Sequence, residues 1–445
     1  MSLLEKNFVD GDTLMAKWNG ILYMMWHNKF YASKDDGKTW DLIHELEMPA
    51  GTSSRFWYPV DLVLTEKTFY LIFSETAYRS EDQGKTWKEM SDEFTNPPDS
   101  IIVIQDTLFA TSDTELYRKG NDSWKRLELP TPEEVNVHTV AGTKDYLYVM
   151  VIDPYFIPGV ANEGRQRAWW ILRSTDLGNT WKDITPTNAW PIKGEPPYAT
   201  LIATGENILI MEKGMVASTD AGDTWLPPLK PNVSPSMDSY SPAAVLNDRI
   251  IYVGSDEGFK RSSDGGKSWD SVEIPAKRKF TRNIDNLIVY DGSEKSQKAR
   301  PAVYAKSWIT IVKTTDKGKS WKSIKLDVPM TASVRDDQPK ILRIINADDI
   351  LYAKGERVTD EVNLYQISDD GNTLNQIKGP PTLNSRMLMN KLRHIRNNPP
   401  ASSDKSYVEE LQENFVGATQ FFKDLVELAQ SDFQNQHFLS SPSKI

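Results

Sequence analysis

"SKDDGKTW" occupies residues 33–40. The chain spells it again as SEDQGKTW (80–87), STDLGNTW (174–181), STDAGDTW (218–225), SSDGGKSW (262–269) and TTDKGKSW (314–321). The shared octad is [ST]-x-D-x-G-x-[TS]-W. Two worn copies join it. YRKGNDSW (117–124) keeps only the hydroxyl and tryptophan at its end, and ISDDGNTL (367–374) has Leu374 in the tryptophan's place. Each residue type has a local role. Short Ser and Asp side chains bond to nearby backbone N–H groups and close tight turns. Glycine adopts φ > 0 without a Cβ penalty. A β-branched or small residue followed by tryptophan suits the start of a strand. The octad therefore predicts a hairpin loop that satisfies its own polar groups, backed by a large aromatic.

The octads end at 40, 87, 124, 181, 225, 269, 321 and 374. Each interval has room for four short strands, the content of one propeller blade. In the second interval DLVLTEK (61–67), TFYLIFSE (68–75), TAYRSED (76–82) and TWKEMS (86–91) are four segments parted by turn residues. The sixth and eighth intervals repeat the plan. The predicted fold is all-β: a single β-propeller over 10–379, with eight blades of four antiparallel strands. Seven blades is the alternative, with the weak third or eighth unit as an irregular insert. The first unit supplies four strands within 12–45, so ring closure needs no strand shared between the two ends. A single blade cannot cover both faces of its sheet, and the octad tryptophans are placed to fill the space between blades.

The octad is the Asp-box, and the chain resembles the Asp-box (BNR-repeat) β-propellers. These include sialidases, xyloglucanases, sortilin-type receptors and photosystem II assembly factors. The resemblance covers roughly residues 10–379. It implies the fold and a structural role for Asp35, Gly37, Trp40, Asp82, Gly84, Trp87, Asp176, Gly178, Trp181, Asp220, Gly222, Trp225, Asp264, Gly266, Trp269, Asp316, Gly318 and Trp321. It does not choose an activity, because such propellers perform many jobs.

After residue 379 the pattern changes. Residues 380–403 read as a short helix and linker: LNSRMLMNKLRHIRN (383–397) has apolar residues at helical spacing, and NNPPASSDKS (397–406) is a breaker. Residues 404–445 read as an amphipathic helix with a frayed tail. Val408, Leu411, Phe415, Ala418, Phe422, Leu425, Ala429 and Phe433 form its stripe. That stripe over 407–438 either packs on the propeller or meets a partner helix or a second copy.

The 445 residues carry a net charge of −10. This argues against nucleic acid as a partner and against a broadly membrane-seeking surface. No apolar run reaches a membrane-spanning length. There are no cysteines, which excludes disulfides and thiolate chemistry, and the five histidines are scattered. We expect no metal and no cofactor. MSLLEKNF has no apolar core of a leader. If an export signal was trimmed ahead of it, the compartment is extracytoplasmic, periplasmic or secreted; otherwise it is cytoplasmic.

In a four-stranded blade the octad joins the third and fourth strands, so all octads share one rim. The opposite rim carries the longer loops: 49–60, 153–168, 185–199, 227–242, 275–283 and 329–339. They hold Arg55, Phe56, Trp57, Tyr58, Tyr155, Arg165, Arg167, Trp190, Tyr198, Tyr240, Arg278, Arg282 and Arg335. Arginine and aromatic residues dominate binding hot spots. They also suit carboxylates and sugars, through bidentate bonds and stacking. The expected function is a non-catalytic platform that holds a protein or glycan on this rim. The alternative is a glycoside hydrolase of the sialidase type. Sialidases, by the same resemblance, have six blades, an Arg-Ile-Pro motif, an arginine triad, a Tyr/Glu pair and an acidic Asp. No Arg-Ile-Pro occurs here. Nor is there an HExxH, a P-loop, GxGxxG or Gly-x-Ser-x-Gly.

Overall fold

The computed structural model describes residues 13–26, 28–49, 57–132, 134–155, 168–186, 200–211, 215–227, 243–247, 249–255, 258–272, 284–290, 302–307, 310–326, 340–347, 350–356, 363–368 and 373–377. Their strands form eight sheets. In sheet 1, Thr13–Trp18, Ile21–Trp26, Lys29–Ser33 and Asp41–Glu45 pair antiparallel in chain order. The first strands of sheets 2 to 8 are Pro59–Leu64, Ser100–Ile104, Asn136–Gly142, Thr200–Thr204, Ala243–Asn247, Ile284–Tyr290 and Lys340–Ala347. Among the described residues the only helical element is a 3-10 turn, Ser91–Glu93. No helix there is long and apolar enough to cross a membrane.

Two sheets depart from the plan. Sheet 5 has three strands. The Leu226 N–H still donates to the Ala217 carbonyl at 2.8 Å, but Pro227 follows and has no N–H to continue a ladder. Sheet 8 has a fifth strand: Lys325–Leu326 lies parallel to Thr373–Leu374 along its outer edge.

The second strands are apolar on both faces: ILYMMW, FYLIF and LYVMVI are almost wholly buried. A strand buried on both sides loses the polar alternation of a half-exposed one. The cause is packing on two neighbours. In sheet 1, Tyr23 and Met25 join Leu62, Phe69 and Leu71 of sheet 2, while Leu22 and Met24 face the other way. The buried residues fall into eight clusters. Seven of them lie between sheets consecutive in the chain. The eighth joins the first sheet to the last, where Ile377 packs beside Trp40 and Leu22, and the first strand of sheet 1 contacts that of sheet 8. Among the described residues no strand is shared across this closure. The arrangement is propeller-like: antiparallel sheets, each packed face to face on the one before it.

The chain divides into two compact units, residues 1–357 with 362–380 and residues 358–361 with 381–445. The eight sheets belong to the first. The expected helices at 383–397 and 407–438 lie outside the described residues.

Candidate functional site

Six octads adopt one geometry. The hydroxyl at the first position donates to Oδ1 of the aspartate at 2.8 Å, from Ser33, Ser80, Ser174, Ser218, Ser262 and Thr314 alike. The same hydroxyl accepts the glycine N–H two residues past the aspartate, as in Gly37 to Ser33 at 2.8 Å. The seventh residue closes the ring: the Thr39 N–H donates to Asp35 Oδ1 at 2.8 Å and its hydroxyl to Oδ2 at 2.6 Å. These bonds favour the charged carboxylate. The Thr39 hydroxyl and N–H hold Asp35 down at about 2. The Thr180 N–H and hydroxyl do the same for Asp176. At Asp82 and Asp316 burial pushes upward, but the bonds outweigh it and both end at about 2. Asp220 and Asp264 are also lowered against opposing burial. Carboxylates in this state carry no proton at neutral pH and have none to give as general acids.

The octad aromatics fill the junction with the preceding sheet. Trp87 packs against the sheet 1–2 cluster, Trp181 the 3–4, Trp225 the 4–5, Trp269 the 5–6 and Trp40 the closure. Trp321 is a buried member of the 6–7 cluster, and Leu374 takes the same place in the 7–8 cluster. The glycines lie against the same neighbour. A Cβ on Gly84 would come within 2.2 Å of the Phe30 ring, and one on Gly37 within 2.7 Å of Ile377. Position four was not singled out in the sequence, yet it too has positive φ: 58° at Asp36, 63° at Gln83, 58° at Leu177, 57° at Ala221 and 61° at Lys317. No residue-type signal marks it, because five side chains there belong to four chemically different kinds.

The third copy has no octad loop. Its strands Leu116–Lys119 and Trp124–Arg126 join through a tight turn, with the Gly120 N–H donating to the Ser123 carbonyl at 2.8 Å.

On the opposite rim the described residues are fewer. Arg55, Phe56, Arg165, Arg167, Trp190, Tyr198, Tyr240, Arg278, Arg282 and Arg335 lie outside them. Tyr58 and Tyr155 are exposed, at 41 % and 59 %, and Met48 nearby in sequence to Tyr58 is exposed too. Trp57 corrects an expectation. It is buried and stacks on Phe73, with ring centroids 4.5 Å apart at 14°. Its ring belongs to the sheet 1–2 core, where the aromatic second strand supplies its packing surface. The base of the long sheet 4 loop is pinned. The Asp153 N–H donates to the Ala168 carbonyl at 2.8 Å, and buried Asp153 accepts the Tyr155 N–H at 2.9 Å. Among the described residues no cluster of His, Asp or Glu is arranged to hold a metal ion.

No protein-family model matches the chain, and no curated protein sequence does. Among solved structures it is similar to YCF48 from Cyanidioschyzon merolae, with 12 % identity and a TM-score of 0.40 over 67 % of this chain and 93 % of that one. It is also similar to the extracellular domain of BT4673 from B. thetaiotaomicron, with 10 % identity and a TM-score of 0.42 over 84 % of this chain. This chain spans about half of that domain, 54 %.

Proposed function

We propose that this chain is an Asp-box propeller of eight blades acting as a non-catalytic binding or assembly platform. It holds a protein or glycan on the rim opposite the octads. The observation that supports it is the contrast between rims. The polar groups of the octads bond to one another, whereas Tyr58 and Tyr155, the two aromatics among the exposed large hydrophobics of the described residues, lie on the other rim. Exposed aromatics on a polar rim mark contact sites. The arginines of that rim, Arg55, Arg165, Arg167, Arg278, Arg282 and Arg335, draw a carboxylate-bearing or acidic partner, and the rings supply apolar contact. The stretch 407–438, read from its sequence as an amphipathic helix, either packs on the propeller or gives a second contact to a partner helix or a second copy. The platform works outside the cytoplasm if an export signal once preceded it.

The test is a pull-down and a glycan array with wild type and two triple variants. Arg55→Ala, Arg165→Ala and Arg282→Ala together should weaken capture, and capture should weaken with salt. Lys38→Ala, Lys85→Ala and Lys319→Ala on the octad rim should leave it unchanged. Loss of capture only in the lysine variant would place the function on the wrong rim. Turnover of a fluorogenic sialoside that depends on Arg55 or Arg282 would replace the platform with a hydrolase.

A further inference from the structure

The octad loops of sheets 4 and 5 each bond to a cross-strand pair on the sheet before them. One member of the pair lies on the third strand, just before the octad or, in sheet 3, just before the short turn. The other follows its tryptophan. In sheet 4 the pair is Arg173 opposite Lys182. Both reach the octad of sheet 5. Arg173 Nη1 donates to the Ala221 carbonyl at 2.8 Å and Nη2 lies 3.1 Å from Asp223 Oδ1, while Lys182 Nζ lies 2.8 Å from the same oxygen. In sheet 3 the pair is Arg118 opposite Lys125. Arg118 donates to the Leu177 carbonyl at 2.8 Å and to Asn179 Oδ1 at 3.1 Å in the octad of sheet 4. The carbonyl belongs to octad position four both times, and the side chain to position six.

Two cations directly opposite each other in a sheet repel. The sixth residue of the next octad answers them. The register gives the same pair in the other sheets, and its charge predicts the sixth residue throughout. Lys313 opposite Lys322 is followed by Asn372, whose identity is known from the sequence alone. Ala32 opposite Asp41 is followed by Lys85, and Arg261 opposite Asp270 by Lys319. The neutral pairs Gln366 with Asn375 and Ala217 with Leu226 are followed by Lys38 and Lys267. In the order of the chain, doubly cationic pairs are followed by Asp or Asn, and all others by Lys. The remaining pair tests the rule from outside. Arg79 opposite Lys88 is doubly cationic, but sheet 3 has no octad. There Glu93 of the 3-10 turn supplies the acceptor, 3.2 Å from Arg79.

We propose that the cross-strand pair and the sixth octad residue form a charge-matched latch between consecutive sheets, which specifies which sheet follows which. Specificity of this kind works as much by penalising wrong neighbours as by rewarding right ones. A sheet 4 surface placed against the octad of sheet 6 would set Arg173 and Lys182 against Lys267.

The experiment is thermal unfolding of the full chain with substitutions at the sheet 4–5 junction. Asp223→Lys sets three cations together and should lower Tm, less so in 1 M salt. Adding Arg173→Ala and Lys182→Asp rebuilds the sheet 1–2 combination and should recover part of that loss. Asp223→Asn copies the sheet 3–4 and 7–8 junctions and should stay near wild type, whereas Asp223→Ala should fall below it. The Asn and Ala variants keep the proposal testable if Asp223→Lys does not fold. Equal Tm for Asp223→Asn and Asp223→Ala, or a triple variant no better than Asp223→Lys, overturns the latch.

Discussion

Sheets 3 and 4 solve the same problem with different loops. Both have four antiparallel strands, and both place a tryptophan against the sheet before them. Sheet 4 turns through a full octad. Sheet 3 turns through Gly120–Ser123 with one backbone bond and without the octad's ring of bonds around an aspartate. A sheet therefore forms without the octad. What sheet 3 loses is reach: a tight Gly120–Ser123 turn stands where the other sheets extend an octad loop towards the sheet behind. The connector compensates by folding Ser91–Glu93 back, so that Glu93 lies near Arg79 and Lys119. The octad is thus a device for joining sheets more than for closing a hairpin.

The glycines should show the largest difference between the two loop types. Gly84 has φ +86°, and a Cβ there would meet Phe30 of the neighbouring sheet at 2.2 Å. Gly84→Val combines a backbone penalty with a clash inside a packed junction and should cost more than about 3 kcal/mol. In sheet 3, Gly120→Ala meets only the Ser123 carbonyl at 3.2 Å. It should change stability far less. Denaturant midpoints of the two variants decide it; equal costs would mean that the octad glycine serves only its own turn.

The tryptophans come next. Trp321 is buried between sheets 6 and 7, edge-on to Tyr252 and Phe259. Trp321→Ala should cost about 3–5 kcal/mol. Its indole Nε1 has no hydrogen-bond partner, so Trp321→Phe should lose much less. A phenylalanine variant as unstable as the alanine one would show that ring shape alone does not explain the site.

These two sites mark what was legible in the sequence. The octads and strand segments were readable because hairpin chemistry is local: TFYLIFSE at 68–75 contains the observed strand Phe69–Phe73. The junctions were not, because they depend on pairs brought together across sheets. Arg173 looks like any exposed strand cation until the register sets it opposite Lys182. Trp57 looked like a rim aromatic because its neighbours Arg55, Phe56 and Tyr58 are surface types, yet Phe73 claims its ring. On the candidate rim, composition supplied the arginines, but no periodicity fixes where side chains in long proline-rich loops converge.

Acid should separate the two loop types as well. The octad aspartates are held at about 2 in Asp35, Asp82, Asp176 and Asp316, below the usual value near 3.9. A carboxylate with a depressed folded pKa stabilises the protein above its unfolded pKa and loses that contribution as pH falls through the folded value. Stability should therefore hold above about pH 5 and decline towards pH 2. Replacing these four aspartates by asparagine should flatten the decline in proportion. An unchanged acid slope would mean that carboxylates outside the octads carry it.

Within the octads themselves the differences are small. Position four has positive φ in all six, with glycine only at Gly265. Lys317, at φ 61°, holds an L side chain in a left-handed conformation that costs roughly 1–2 kcal/mol. Lys317→Gly relieves that strain but frees the unfolded chain, which offsets about 0.5–1 kcal/mol of the gain. The net should be a stabilisation of a few tenths to about 1 kcal/mol. Gly265→Ala should move the other way. It restores the strain, and its Cβ would lie 2.7 Å from Asn207 Oδ1 of the neighbouring sheet. Opposite shifts in Tm from these two substitutions would show that one backbone geometry governs both loops. Shifts of the same sign would mean that position four answers to its neighbour in each junction and not to a shared turn.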